Sequence, residues 1–152
     1  MSGDERIRVL FRRLPGNDLP APRAATAASA GVDLRACVEN PLSLQPGERA
    51  LVPTGLALAI PAGYEAQVRP RSGLAIESGL TLLNSPGTID ADYRGEVRVV
   101  AVNLGGEPVI IRRGDRIAQM VFQKVPAVEL VESDELSATP RGEAGFGSTG
   151  RS

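Results

Sequence analysis

The sequence predicts an all-β fold, a jelly-roll-like barrel or sandwich with one short helix and a flexible C-terminal arm. Three features predict it. Short segments alternate apolar and polar residues, 17 glycines and 12 prolines divide them, and aromatic residues make up only 3% of the chain. The core must therefore consist mainly of Val, Ile, Leu and Ala. A chain of 152 residues fits one domain, which we place at 1–137, with the arm at 138–152.

The strands are predicted from alternation and from the turn residues between them. Apolar residues share one face along 7–11, 56–60 and 97–101, and Val100 and Val102 on the opposite face of the third segment indicate burial on both sides. The other strand candidates, bounded mostly by Gly or Pro turns, are residues 32–37, 49–53, 64–69, 80–84, 108–112, 116–124 and 127–131.

Two further segments are predicted to differ from the strands. A short helix is expected over Ser72–Gly79, with Ser72 available as N-terminal cap and Gly79 as C-terminal cap. Residues 15–30 are rich in Pro and Ala, which indicates an ordered but irregular surface loop.

Composition excludes several classes of function. A net charge of −1, from 17 basic and 18 acidic residues, argues against binding long nucleic acid. The chain contains no histidine, which excludes Ser-His-Asp triads, and one cysteine, Cys37, which we expect to be a small buried apolar residue. No stretch has the length of a signal peptide core or a membrane span, so we expect a cytoplasmic protein without membrane contact.

The segment 84–103 is a candidate for chemistry. We predict a β-hairpin that carries Asp90, Asp92 and Tyr93 near its bend. Backbone groups of such a hairpin suit the edge of a base, Asp90 suits the activation of a water molecule, and Tyr93 suits packing against a sugar. The alternative is ordinary turn chemistry, in which Asp makes local hydrogen bonds.

Other polar residues suit an anion. Arg71, Ser72 and Gly73 resemble an anion-binding nest at the start of the short helix, although a polar helix start explains them equally. Asp33 and Gln119 lie beside apolar strand positions, where a solvated core-edge side chain is the alternative.

The Gly-rich C-terminal arm, called the tail from here on, is a third candidate for chemistry. Residues 138–152 hold one large apolar residue, Phe146, and cannot pack a core of their own. The tail suits closure over a ligand, with Phe146 on a flat ring and Arg141 or Ser148 on phosphates. The alternative is a disordered terminus.

Together these segments resemble the five ordered motifs of the trimeric dUTP pyrophosphatase family. The motifs span Ala30 to Arg151. In order, they read AGVDLRA (30–36), PRSGLA (70–75), GTIDADYRGEV (87–97), RGDRIAQMVF (113–122) and RGEAGFGSTGR (141–151). Two departures are Ala144, where many members have Gly, and Pro86 before the hairpin turn.

The resemblance implies hydrolysis of dUTP to dUMP and pyrophosphate, with Mg2+, in a homotrimer whose active sites lie between subunits. This activity would limit uracil in DNA and supply dUMP for dTMP synthesis. Asp90 would activate the water that attacks the α-phosphate, Tyr93 would exclude a 2′-hydroxyl, and Asp33 would hold the metal through water only.

The resemblance also assigns the substrate contacts. Uracil would be bound largely by backbone around Asn84, Thr88, Ile89 and Arg98, and Phe146 would stack on it. Phosphates would be held by Arg71, Ser72, Gly73, Gln119, Arg141, Gly147, Ser148 and Thr149.

Two other functions remain open from the sequence. A dCTP deaminase, or a bifunctional deaminase and pyrophosphatase, resembles this pattern but typically has a phenylalanine-like residue in place of Tyr93. A non-catalytic nucleotide-binding protein would keep the motifs without turnover, and a purely structural trimer would not explain the tail.

Overall fold

A computed structural model describes residues 6–150 and gives an antiparallel β-sandwich with one short helix. The predicted fold class is confirmed. The elements are β1 (Leu10–Arg13), β2 (Gly31–Arg35), β3 (Leu42–Leu44), β4 (Arg49–Ala59), β5 (Tyr64–Arg69), α1 (Ser72–Ser78), β6 (Leu80–Leu82), β7 (Gly87–Ile89), β8 (Glu96–Asn103), β9 (Val109–Ile111) and β10 (Arg116–Lys124).

Two four-stranded sheets form the sandwich. One has the strand order β1-β4-β8-β6 and the other β2-β10-β5-β7, while β3 and β9 form a separate two-stranded sheet. The inward faces supply an aliphatic core without Trp, as the composition predicts. Leu34, Val52, Val99, Ile111 and Met120 are among its most deeply buried members.

Strand β4 is longer than predicted because a bulge lets it continue past Pro53. Its register against β8 shifts between Pro53 and Ala57, and Gly55 there has φ +66°. A Cβ at Gly55 would lie 2.9 Å from Cys37 Sγ, so the bend also depends on the missing side chain. The apolar face at Leu56, Leu58 and Ile60 is buried as predicted.

Several predictions at strands are wrong. Strand β1 starts only at Leu10 and all four of its residues are exposed, because it is an edge strand with β4 as its one partner. Residues 127–131 form no strand, and Val128, Leu130 and Val131 are exposed, because no described strand of this chain pairs with them. The short β3 was not predicted, and Cys37 is half-buried rather than buried.

The predicted hairpin at 84–103 is also wrong as a paired hairpin. Strand β7 pairs with β5 in one sheet, and β8 pairs with β4 and β6 in the other. The six residues between Ile89 and Glu96 carry the chain from one sheet to the other, so β7 and β8 diverge.

The helix and the irregular loop agree with the sequence. Helix α1 ends at Gly79, which has φ 72° and donates its N–H to the Ala75 carbonyl at 3.1 Å. Its N-terminal cap is Arg71, without a side-chain cap bond, so Ser72 is not the cap. Residues 15–30 form no named strand or helix.

Arg113 ties this loop to the sandwich. Its Nη2 donates to the Gly16 carbonyl and to Asp18 Oδ1, both at 2.6 Å. The hydrogen bond from Arg113 holds the pKa of Asp18 below its ordinary value.

Asn103 joins three parts of the backbone. Its Nδ2 donates to the carbonyls of Leu44 at 2.9 Å and Glu107 at 2.8 Å, and its Oδ1 accepts from the N–H of Gly105 at 2.9 Å. The side chain is fully buried. Its amide therefore fixes the turn after β8, against which the C-terminal end of α1 packs through Gly79 and Gly105.

We predict that Asn103→Ala lowers the free energy of unfolding by about 2–3 kcal/mol, because it leaves buried backbone groups without partners. Urea unfolding followed by circular dichroism measures the change. Asn40→Ala is the matched control, since Asn40 is exposed and an exposed position should change stability by less than about 0.5 kcal/mol. Equal effects of the two substitutions would contradict this role of Asn103.

Candidate active site

The gap between β7 and β8 forms a cavity of about 620 Å³, called here the β7–β8 cavity. Strand β7 lies at the edge of its sheet, so its second edge has no ladder partner among the described strands. Its backbone N–H and C=O groups are therefore available to a ligand in the cavity. The lining residues are Leu51, Thr88, Ile89, Asp90, Tyr93, Gly95, Glu96, Val97 and Arg98.

Asp90 is the acidic group directly after β7. A turn follows it, in which the N–H of Tyr93 donates to the Asp90 carbonyl at 3.1 Å. The residue is exposed, and within residues 6–150 no hydrogen bond or ion pair engages its carboxylate. The carboxylate is thus free to accept a proton from water in the cavity.

Tyr93 and Arg98 are held in the same cavity through Glu96. The Tyr93 hydroxyl donates to the Glu96 carbonyl at 3.0 Å, which folds the ring back along the chain. The Glu96 carboxylate accepts from Arg98 Nε at 2.8 Å and from the N–H of Gly55 at 2.9 Å. The bulge of β4 therefore helps to fix the wall of the cavity.

The structure thus brings together Thr88, Ile89, Asp90, Tyr93 and Arg98. Asn84 lies outside the lining of this cavity. It is exposed and packs at the start of β7, where its Nδ2 is 3.1 Å from the position that a Cβ on Gly87 would take.

A second cavity of about 410 Å³, called here the Asp33 cavity, collects other predicted residues. The register of strand β10 against its two neighbours explains which residues line this cavity. Strand β10 lies between β2 and β5, with Gln119 opposite Asp33 on one side and Arg69 on the other. Gln119 Nε2 donates to the Pro70 carbonyl at 3.1 Å. The lining residues are Ala25, Ser29, Ala30, Gly31, Asp33, Arg71, Ser72, Gly73, Arg116 and Gln119.

Two guanidinium groups share one carboxylate in the Asp33 cavity. Asp33 Oδ1 lies 3.2 Å from Arg71 Nε, and its Oδ2 lies 3.3 Å from Arg116 Nη1. Arg71 Nη1 also donates to the Arg116 carbonyl at 3.1 Å. The three side chains leave one excess positive charge in an open cavity, which suits an anion such as phosphate.

Arg116 was not singled out from the sequence. The signal was present in RGDRIAQMVF, where Arg116 starts β10 three residues before Gln119. Its contact with Asp33 depends on the pairing of β10 with β2, which local sequence does not reveal.

The acidic side chains near these cavities fit a metal ion that is bound mainly by the phosphates of a bound molecule and by water. Among the side chains of residues 6–150, no group of three or more His, Cys, Asp or Glu is placed to bind a metal. A single carboxylate, Asp33, is typical of magnesium sites in which phosphate oxygens and water complete the coordination.

The tail contributes to neither cavity. Residues 125–150 contain turns but no strand or helix. Phe146 is fully exposed with φ 49°, and Arg141 Nε donates only to the Ala144 carbonyl at 2.8 Å. The tail residues absent from both linings are Arg141, Phe146, Gly147, Ser148 and Thr149. Arg151, the last residue of the fifth motif, lies outside the described residues.

Apart from Asn84, the predicted site residues therefore form three separate groups within one chain. The β7–β8 cavity and the Asp33 cavity share no lining residue, and the tail joins neither.

Within residues 6–150, no helix has the length and apolar character needed to cross a membrane.

Comparisons with known proteins agree on one family. The family model described as dUTPase matches residues 17–150. The chain is 56% identical over 147 residues to a deoxyuridine 5'-triphosphate nucleotidohydrolase of Caulobacter vibrioides, covering 95% of each chain. It is 55% identical over 149 residues to the Methylocella silvestris protein of that name, covering 96% of this chain and 93% of the relative.

A solved structure extends the likeness to the fold. A variant dUTPase of Staphylococcus bacteriophage 80alpha with dUpNHpp superimposes with a TM-score of 0.85 at 26% identity, over 95% of this chain and 99% of the phage chain.

Proposed function

The chain belongs to the dUTPase family and is a dUTP diphosphatase, and we propose that Asp90 activates the water that cleaves dUTP. The observation that carries this proposal is the free carboxylate of Asp90 in the β7–β8 cavity, beside the ring of Tyr93 and the unpaired edge of β7. The backbone edge proposed for the base, the ring proposed for the sugar and the carboxylate proposed for water thus lie in one cavity, while Asn84 and Phe146 lie outside its lining.

Uracil is bound at the open edge of β7. Backbone groups of Thr88 and Ile89 meet the edge of the base, and Asn84 and Arg98 flank it. Cytosine presents a donor where uracil presents an acceptor, so it would leave backbone groups unpaired. Tyr93 packs on the deoxyribose and leaves no room for a 2′-hydroxyl.

Phosphates are bound by groups of the Asp33 cavity and of the tail. Arg71, Ser72, Gly73 and Gln119 hold the triphosphate, and a phosphate competes with Asp33 for Arg71. Asp33 would hold Mg2+ through water, and the ion would supply positive charge against the phosphates. The tail closes over the ligand, with Phe146 on uracil and Arg141, Gly147, Ser148 and Thr149 around the phosphates.

Hydrolysis then needs few chemical groups. Asp90 accepts a proton from water as its oxygen attacks the α-phosphorus. The bond from that phosphorus to the oxygen bridging to the β-phosphate breaks, and pyrophosphate leaves with the electron pair. Positively charged groups around the phosphates stabilise the charge of the transition state. This chemistry needs no histidine.

The active site is completed by association of copies of the chain in a homotrimer. Two observations support this. The residues for base and for phosphates line cavities with no residue in common, and the tail reaches neither. The segment between β10 and the tail also exposes Val128, Leu130, Val131 and Leu136, which suits burial against a neighbour. The division of the chain at residue 137 and a cytoplasmic location stay predictions.

The proposed specificity is tested by pyrophosphate release from dUTP, UTP, dCTP and dTTP. We expect release from dUTP with Mg2+, its loss on chelation, and discrimination against dCTP of about 10⁴-fold, since mismatched hydrogen bonds are left buried. We also expect the backbone at the edge of the base site to exclude the methyl group of thymine, and turnover of dTTP comparable with dUTP would contradict that expectation. Ammonia release from dCTP would identify a deaminase, and binding of dUTP without pyrophosphate release would identify a non-catalytic protein.

The role of Asp90 is tested by Asp90→Asn. We predict that kcat for dUTP falls by about 10²- to 10⁴-fold, because the amide does not take the proton from water, while binding of a non-hydrolysable dUTP analogue persists. Asp92→Asn is the matched control. Asp92 is exposed in the same turn but does not line the β7–β8 cavity, so its loss should leave kcat nearly unchanged. Equal kcat values for the two variants would refute the assignment of the base.

A further inference from the structure

We propose that Gly95 is a positioning residue for sugar specificity, because its missing side chain is what allows the Tyr93 ring to lie against the backbone. The inference rests on the proposed function, in which Tyr93 contacts deoxyribose. It adds a residue that acts through Tyr93, by determining where the discriminating ring lies.

Glycine is required at position 95 because there is no room for a side chain, and not because of the backbone conformation. Its φ lies outside the left-handed range that favours glycine. A Cβ at this position would lie 2.6 Å from Cζ and 3.0 Å from Cε2 of Tyr93, and closer still to the hydroxyl oxygen. Real Cβ atoms do not make such contacts, so any other residue at 95 must displace the ring or the backbone.

The ring gives way rather than the backbone of the turn, because Tyr93 is 47% exposed and its side chain is held by one hydrogen bond. Its hydroxyl donates to the Glu96 carbonyl at 3.0 Å, and the N–H of Tyr93 donates to the Asp90 carbonyl at 3.1 Å. Arg94 Nη1 also closes the turn by donating to the carbonyls of Ala91 at 2.6 Å and Tyr93 at 3.0 Å. A methyl group at 95 therefore pushes the ring off the chain and breaks its bond to Glu96.

Displacement of the Tyr93 ring affects the choice between dUTP and UTP because Tyr93 and Gly95 both line the β7–β8 cavity. A ring that leaves the backbone no longer closes the space in which a 2′-hydroxyl would lie. Exclusion by contact alone is worth about 10- to 200-fold, so the loss of ring position should remove most of that factor.

The test compares kcat/KM for dUTP and UTP in Gly95→Ala and in a matched control, Gly106→Ala. A Cβ at Gly106 would meet nothing within 4 Å. We expect the ratio of dUTP to UTP to fall about tenfold or more in Gly95→Ala and to stay at the wild-type value in Gly106→Ala. An unchanged ratio in Gly95→Ala would overturn the inference.

A direct effect of the added methyl group on substrate is distinguished by a double substitution. In a Tyr93→Ala background, Gly95→Ala should cause no further change in the ratio, since the ring it displaces is absent. A further change of the same size would overturn the inference and identify the methyl group itself as the obstacle. A wild-type enzyme that hydrolyses UTP as well as dUTP would contradict the proposed sugar contact.

A spectroscopic measurement tests the ring position without any nucleotide. The chain has two tyrosines and no tryptophan, so in Tyr64→Phe the tyrosine signal in near-ultraviolet circular dichroism comes from Tyr93. Adding Gly95→Ala should reduce this signal while the far-ultraviolet spectrum stays unchanged, and adding Gly106→Ala should not. An unchanged near-ultraviolet signal in the Gly95→Ala protein would refute the inference, whatever the nucleotide specificity.

Discussion

The separation of β7 from β8 is the constraint on which the candidate site depends. The strands are neighbours in sequence, yet they pair into opposite sheets, β7 with β5 and β8 with β4 and β6. A paired hairpin would use its backbone groups internally. Divergence instead leaves the outer edge of β7 open, and the connecting turn places Asp90 and Tyr93 at the mouth of the gap. The proposed recognition of a base by backbone and the proposed activation of water therefore have one structural origin.

Charge is distributed to match a substrate with a neutral base and a charged triphosphate. The β7–β8 cavity contains one free carboxylate, whereas the Asp33 cavity contains Asp33 between Arg71 and Arg116. In the second arrangement each arginine has the Asp33 carboxylate as a partner. This arrangement also suits an anion, since phosphate and carboxylate bind a guanidinium in similar geometry. On the proposed function, a chain of net charge −1 would hold a polyanion through a few local contacts.

Local patterns predicted much of the fold, and long-range pairing accounts for the errors. Alternation gave strands 64–69 and 116–124 with the observed bounds, and Gly79 marked the end of the helix. Neither the crossing of the chain between sheets after Ile89 nor the approach of Arg116 to Asp33 leaves a local signal, because each depends on strands distant in sequence. At 127–131 the alternation is present but no described strand of this chain pairs with it.

The proposed homotrimer requires that one chain holds only part of a catalytic site. The direct measurement mixes two inactive chains, Asp90→Asn and a chain ending at Ser137, by co-expression with different affinity tags. If the base and the tail of each site come from different copies, trimers that carry both tags restore about a third of wild-type dUTP hydrolysis, and the unselected random mixture restores about a quarter. If one chain supplied both, the mixed protein would stay as inactive as the two variants purified separately, and the claim would be wrong.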